Sequence, residues 1–497
     1  MPKNKPPTAV YLSSTHVDEN APGAVIGTLT ASDKNLKHGD VITYTVDDSR
    51  FEVIEHDGQS TLQLKSGVAL DYEASPTVTL EVTATDKGGL SKTKAFTLSV
   101  QDLPEAPTTE RISISSTGEQ ANGDSISPSI SADARYVAYE SYASNLVSDD
   151  TNNAADVFVF DHKTHTTERI SVGLTGEQGN SDSGQPSISA DGRYVAYQGW
   201  ASNLVEGDSN DAVDVFVFDR QTQTTERVSI SSTGEQANGA SMNASISADG
   251  RYVTFTSAAS NLVQGDTNGV DDVFVFDRQT HTTERVSVSS NGLQANGSSD
   301  HPSISGDGRY VAFESLASNL GSDDPFGGPD IFVYDRETHT TERVSPDTPP
   351  GASDPVISAD GRYVAFVKFF AIYTYDRETG TAERTPVSGD SEYGGPREPS
   401  ISADGRYVAA LNSPGNFPSP FFQHIYVYDQ QTGSVAQVSN SSEITDPNVR
   451  DGTQSSHPSI SADGHTVAYQ SNASDLVSGD TNGFTDIFVA HIDDIFV

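Results

Sequence analysis

From Thr108 onward the chain alternates apolar and polar residues with a period of two, as in SIS, RYVAY and VFVFD, and Asp-Gly or Asn-Gly pairs interrupt it every few residues. Period two puts successive side chains on opposite faces of an extended strand, and Asp-Gly supplies the positive φ angles of tight hairpins. Helical spacing is nearly absent. The pattern predicts an all-β protein in which strands such as Val273 to Asp277 are separated by short turns and by longer loops of the type ASNLVQGDTNGVDD.

One unit of this pattern repeats. SISADGRYVAY recurs with small changes, its central aspartate falling at Asp133, Asp191, Asp249, Asp307, Asp360, Asp404 and Asp463. Intervals of 44 to 59 residues suit a four-stranded propeller blade with one long connection and are too long for a two-helix solenoid unit. Within a copy the order is SIS, a hairpin to RYVAY, the long loop, a VFVFD-type strand, a turn and TERVS. TTERIS at Thr108 to Ser113 precedes the first copy, whereas the seventh ends at DIFVAHIDDIFV without one. The N-terminal copy is therefore expected to complete the seventh blade, closing the ring and hiding the edges an open array would expose. These repeats resemble the TolB-type, WD-repeat-like β-propeller family from Thr108 to about Asp493. TolB itself is usually six-bladed, so the resemblance implies the fold and not that protein's role.

The first 107 residues lack the repeat and read as about seven short strands, an immunoglobulin-like β-sandwich. The Pro-rich DLPEAPTT stretch sets the division: a sandwich at 1–104, a linker at 105–109 and the propeller at 110–497. DENAPG at Asp18 to Gly23, ITYTV, ALDYE at Ala69 to Glu73, TATDKGG at Thr83 to Gly89 and VQDLPEAP stand in the order of a cadherin repeat, which the segment resembles. That resemblance implies Ca²⁺ at the exit of the module, held by Glu19, Asp71, Glu73 and Asp102. The exit motif departs from the family, with Leu103-Pro104-Glu105 where cadherin repeats carry Asn-Asp before the proline.

Charge narrows the partners. With 29 Lys and Arg against 70 Asp and Glu, the formal charge is −41, which repels nucleic-acid phosphate and anionic lipid. The absence of cysteine excludes disulfides and thiolate metal sites. No apolar run reaches a membrane-spanning length, and MPKNKPPTAVYL has no apolar signal-peptide core. The terminal DDIFV resembles the acidic-then-apolar ending of type I secretion substrates. The expectation is an extracellular or cell-surface bacterial protein, not inserted in a membrane, acting as a monomer or within a larger modular surface protein.

Two further constellations carry chemistry. Asp-x-Asn-x-x-x-Asp recurs in the long loops as Asp150/Asn152/Asp156, Asp208/Asn210/Asp214, Asp266/Asn268/Asp272 and Asp480/Asn482/Asp486. These resemble shortened Ca²⁺ loops of integrin-type propellers, the alternative being Asx turns that cap backbone amides. The residue before each SIS strand is expected at the channel mouth: Ser127, Gln185, Asn243, His301, Asp354, Glu398 and His457. His301, Asp354, Glu398 and His457 supply imidazoles and carboxylates suited to acid/base work or a divalent metal, set against a merely solvated polar rim. Trp200, the only tryptophan, is placed to stack on a sugar or to pack. No nucleophile elbow, HExxH, P-loop or dinucleotide fingerprint is present. The favoured expectation is a non-catalytic, Ca²⁺-binding adhesion or recognition module taking a protein or carbohydrate ligand at the propeller face. The competing classes are a propeller-scaffolded polysaccharide lyase or glycosidase, and a metal-independent interaction scaffold.

Overall fold

Every helix or strand among the described residues is a β-strand. The computed structural model describes residues 4–34, 41–72, 75–101, 107–321, 328–346, 351–385, 396–412, 423–440 and 454–492. The chain divides into two compact units, Met1–Glu105 and Ala106–Phe496.

The first unit contains β1 (Ala9–Leu12), β2 (His16–Asp18), β3 (Val25–Ser32), β4 (Thr43–Val46), β5 (Phe51–His56), β6 (Gln59–Leu64), β7 (Thr77–Thr85) and β8 (Ser91–Gln101). They form two four-stranded sheets, β1-β3-β6-β5 and β2-β8-β7-β4. Alternation along β7 decides where the core lies: Val78, Leu80, Val82 and Ala84 point inward, while Thr77, Thr79 and Glu81 face out. The inward set packs with Leu62, Phe96 and Leu98. Sequence reading missed β2, whose three residues are too few to display a period but pair in parallel with β8.

The second unit holds seven antiparallel four-stranded sheets, six of them in chain order from the first strand to the fourth. Blade two, for example, comprises Ser183–Ile188, Tyr194–Gly199, Asp214–Asp219 and Thr224–Arg227. The seventh sheet is completed by Thr108–Arg111, in register from Phe488 opposite Arg111 to His491 opposite Thr108. The first strands neighbour one another in a closed cycle, the last (Ser455–Ile460) lying against the first (Ser125–Ile130). The unit is a seven-bladed β-propeller.

The third strand of blade two, DVFVFD, is buried along its whole length because both faces are covered. Its Val215 and Val217 pack on Phe255, Phe274 and Phe276 of blade three, while Phe216 and Phe218 pack on Val157 and Val159 of blade one. Large side chains on one face meet small ones on the next, which fills the taper between blades at interior density.

A polar clasp ties the same seams together. Tyr194 of blade two lies beneath the guanidinium of Arg278 from blade three, 4.2 Å from the ring centroid. Arg278 also donates to Glu226 of blade two and to the carbonyl of Gly250. Tyr136–Arg220–Glu168, Tyr252–Arg336–Glu284 and Tyr310–Arg377–Glu342 repeat the arrangement. At the closing seam Thr466 stands in place of the tyrosine, Ala134 in place of the glycine, and His162 in place of the arginine. His162 Nδ1 lies 2.7 Å from Glu110 Oε1.

Candidate functional site

Near the start of each first strand, one residue adopts a left-handed conformation: Ser127, Gln185, Asn243, His301, Asp354, Glu398 and His457, with φ from 49° to 55°. The pairing register slips at each of these points, as between Ile126 and Ser129, so each is a β-bulge. A bulge re-aims a side chain that regular pleating would place elsewhere. All seven residues line one central cavity of about 610 Å³. The sequence reading put them just before the strand; they lie within it, because the bulge absorbs the extra residue.

Bulging leaves each amide off the ladder, and the preceding blade caps several of them. Ser127 N–H donates to Gln470 Oε1 at 2.8 Å, Gln185 N–H to Glu140 Oε2 at 3.2 Å and Asn243 N–H to Gln198 Oε1 at 3.2 Å. His457 N–H donates to Glu398 Oε2 at 2.7 Å and His301 N–H to its neighbour Asp300 Oδ1 at 2.7 Å. Ser127, Gln185 and Asn243 make one arc of the rim neutral, and the remaining arc is charged.

In the charged arc, His457 Nδ1 lies 3.6 Å from Glu398 Oε2. His301 Nδ1 lies 3.7 Å from Asp300 Oδ2 and 4.0 Å from Glu314 Oε2. Burial pushes the Glu314 carboxyl above its ordinary range. Burial also acts on Asp300, but hydrogen bonds from Thr256 and Asn243 outweigh it and hold that carboxyl down. The four residues read as a catalytic set thus share one cavity, with His457 paired to Glu398 and His301 set against Asp300 and Glu314. Among the described residues no group of three or more His, Asp or Glu is arranged to hold a metal ion.

Two aromatic side chains stand at the same place, directly after the second strands of blades one and two. Tyr142 is 53% exposed and Trp200 57% exposed. Tyr142 hydrogen-bonds Glu140, whose carboxylate caps the rim amide of Gln185.

The long loops meet a cation from their own ring. In blade two, Arg227 Nη1 lies 3.3 Å from Asp208 Oδ1 and 3.6 Å from Asp214 Oδ2. Gln236 Nε2 donates to the same two oxygens at 2.7 and 3.2 Å, Asn210 Nδ2 donates to Asp214 Oδ2 at 3.1 Å, and Ser229 Oγ donates to Asp214 Oδ1 at 2.5 Å. Arg169 stands likewise between Asp150 and Asp156, Arg285 between Asp266 and Asp272, and Arg111 between Asp480 and Asp486. Asn152, Asn268 and Asn482 each donate to the last aspartate of their loop. Burial raises Asp156, Asp214 and Asp486 above the usual carboxylate range. The oxygens that the sequence offers to Ca²⁺ in these loops are therefore engaged by arginine and amide groups. The missed signal was the arginine of the TTER motif, read only as a strand residue.

In the first unit Glu19 is 1% exposed although it is acidic. Its Oε2 accepts the N–H of Tyr72 at 2.9 Å, its own N–H donates to Gln101 O at 3.2 Å, and Asn20 N–H donates to Leu70 O at 3.0 Å. The three segments expected to supply Ca²⁺ ligands thus meet at Glu19, with Asp71 beside Tyr72. Glu73 and Asp102 lie outside the described residues.

Fold and site together define a two-module all-β protein, a sandwich followed by a propeller. Residues 13–101 match the family model of the cadherin domain. Cadherin-related family member 1 of Xenopus laevis is 33% identical over 101 residues, and that of Gallus gallus 36% over 103. Each match takes in 18% of this chain, which spans only 11% and 12% of the length of those relatives. Among solved structures, the chain is similar to an oligogalacturonate lyase of Vibrio parahaemolyticus at 14% identity and a TM-score of 0.49, with 80% of this chain and 100% of that one covered. It is also similar to TolB of Acinetobacter baumannii at 14% identity and a TM-score of 0.36, covering 72% and 80% respectively.

Proposed function

We propose that the chain is an extracellular recognition module of the adhesion type, in which the cadherin-like sandwich is stiffened by Ca²⁺ and the propeller takes its ligand at the channel mouth. The observation that carries this reading is the rim: seven bulged polar residues, one per blade, aimed into a single cavity of about 610 Å³. Exposed Tyr142 and Trp200, directly after the second strands of blades one and two, offer ring faces suited to a sugar or to an apolar side chain of a partner. A neutral arc of Ser127, Gln185 and Asn243 beside a charged arc gives the ligand a fixed orientation, since hydrogen-bond donors and ionised groups occupy different sectors.

Calcium belongs to the sandwich in this reading. Glu19 and Asp71 would hold it together with Glu73 and Asp102, because a hard cation accepts six to eight oxygens. The ion supplies rigidity and takes no part in ligand chemistry.

Two measurements test the two halves separately. Binding of the labelled full chain to glycan arrays and to cell-surface protein extracts is expected to fall in Trp200→Ala and Gln185→Ala and to persist in His165→Ala, which lies in an outer turn. Equal binding by all three variants overturns the channel-mouth reading. In thermal melting, Ca²⁺ at about 100 times its Kd is expected to stabilise by about 2.7 kcal/mol, with Mg²⁺ and ionic strength ineffective and Glu19→Gln unresponsive. A melting curve indifferent to Ca²⁺ overturns the calcium reading.

A further inference from the structure

We propose that the seam between the fifth and sixth blades is a binding site for an arginine side chain presented by another polypeptide. The argument comes from the ring's own repetition and is independent of the channel-mouth reading. Four seams hold an internal arginine over the tyrosine of the preceding blade, at 4.2, 4.2, 4.2 and 4.0 Å from the ring centroid. Each of these arginines donates to a glutamate of the preceding blade and to the glycine carbonyl of its own Asp-Gly turn.

At the fifth seam the receiving parts remain and the arginine is gone. Tyr363, Glu383 and Gly405 occupy the receiving positions, but Gln430 stands where the sister blades carry arginine. Gln430 Nε2 reaches the Gly405 carbonyl and ends there. Tyr363 keeps its own blade's Arg362 at 4.9 Å. Among the described residues no guanidinium of blade six lies over its ring, and Glu383 has no ion-pair partner. A cavity of about 720 Å³ lined by Tyr363, Thr374, Glu383, Asp404, Arg406 and Gln430 opens in place of the clasp, and its lining cation, Arg406, is paired with Asp429 and stacked on Tyr407.

A second observation points the same way. Thr374 lines this cavity, is 4% exposed, and its Oγ1 has no hydrogen-bond partner. Blades one to four carry Val159, Val217, Val275 and Val333 at the equivalent position, so the hydroxyl belongs to this blade and to the seam that lacks its arginine. Native proteins rarely leave a buried polar atom unpaired, and one facing a cavity is a donor or acceptor held ready. Aromatic face, carboxylate and hydroxyl together fit a planar guanidinium better than a compact ammonium, which stacks less well and cannot form a fork of parallel hydrogen bonds. The net negative charge of the chain draws such a ligand in.

The test uses the full chain and the probe Ac-Ala-Arg-Ala-NH₂, with the citrulline peptide as an uncharged isostere and the lysine peptide as a competing cation. Calorimetry is expected to give saturable binding of the arginine peptide, weaker binding of the lysine peptide and none of the citrulline one. Gln430→Arg fills the seam from within, so it is expected to abolish binding and to raise the melting temperature. Glu383→Gln is expected to weaken binding roughly tenfold or more by removing a charge-assisted hydrogen bond. No saturable binding up to about 50 mM, far beyond a useful affinity, overturns the proposal. So does binding that survives both substitutions, which places the peptide elsewhere on the acidic surface.

Discussion

Replacing Gly250 by alanine in the seam between blades two and three sets a steric argument against a natural control within the same chain. Gly250 has φ +71°, and a Cβ there would stand 2.1 Å from Cδ2 and 2.6 Å from Cγ of Tyr194. Backbone strain at a left-handed alanine costs about 1–2 kcal/mol, and forcing a methyl into a packed contact costs about 1–3 kcal/mol. The loss is therefore about 2–5 kcal/mol, and it also disturbs Arg278, which rests on the same ring. At the closing seam the chain already carries Ala134 at φ 57°, and the preceding blade has Thr466 where the tyrosine would be. Hence Tyr194→Thr should remove the steric part, leaving only about 1–2 kcal/mol for Gly250→Ala in that background. Urea denaturation of the four proteins of the cycle, followed by Tyr and Trp fluorescence, measures the coupling. A Gly250→Ala cost within 0.5 kcal/mol of zero, the range of an ordinary surface change, refutes the contact. A cost unchanged by Tyr194→Thr refutes the reason given for it.

Two other outcomes follow from the ion pairs. Asp214→Ala leaves Arg227 buried with only Asp208 beside it, so it should destabilise by about 3 kcal/mol. That loss should be the same in EDTA and in Ca²⁺, and a calcium-dependent difference would favour the metal reading of the loops. Hydrogen bonds from Arg135 and Arg193 hold Asp161 and Asp219 down to about 2, from an ordinary value of 3.8. A carboxyl depressed in the folded state stabilises above its unfolded value and loses that contribution as pH falls through its folded value. The propeller should therefore lose stability between about pH 4 and pH 2. The raised carboxyls of Asp156, Asp214 and Asp486 act in the opposite sense and partly offset the loss. Acid titration by circular dichroism checks this, and Arg193→Gln should move the midpoint upward; an unmoved midpoint counts against it.

Much of the architecture is written locally. Period-two alternation makes strands, seven SADG-type anchors number the blades, and a TTERIS segment displaced to the front says that the ring closes with it. Each signal depends on residues close together in sequence, where the physics of turns and pleats acts. The rim was legible as a set of residue types at one repeat position, but its aim was not. A bulge with positive φ arises from the pairing of two strands; His301 meets Asp300 and Glu314 within its own blade, whereas the pairing of His457 with Glu398 depends on which blade stands next to which.

The loops mark the limit most clearly. Asp208, Asn210 and Asp214 announce oxygen ligands for some cation, and nothing within the loop says which. The fourth strand folds back and delivers Arg227 to them, while Gln236 arrives from the connection to the next blade. The same holds at the seams: Thr466 and Ala134 vary together in the sequence, as do Gln430 and Thr374, but each pairing has meaning only where neighbouring blades touch. Local sequence determined the strands, their number and the closure, because those follow from short-range backbone preference. Tertiary structure alone decided which charges meet and which places stay open, because an electrostatic partner is set by distance in space.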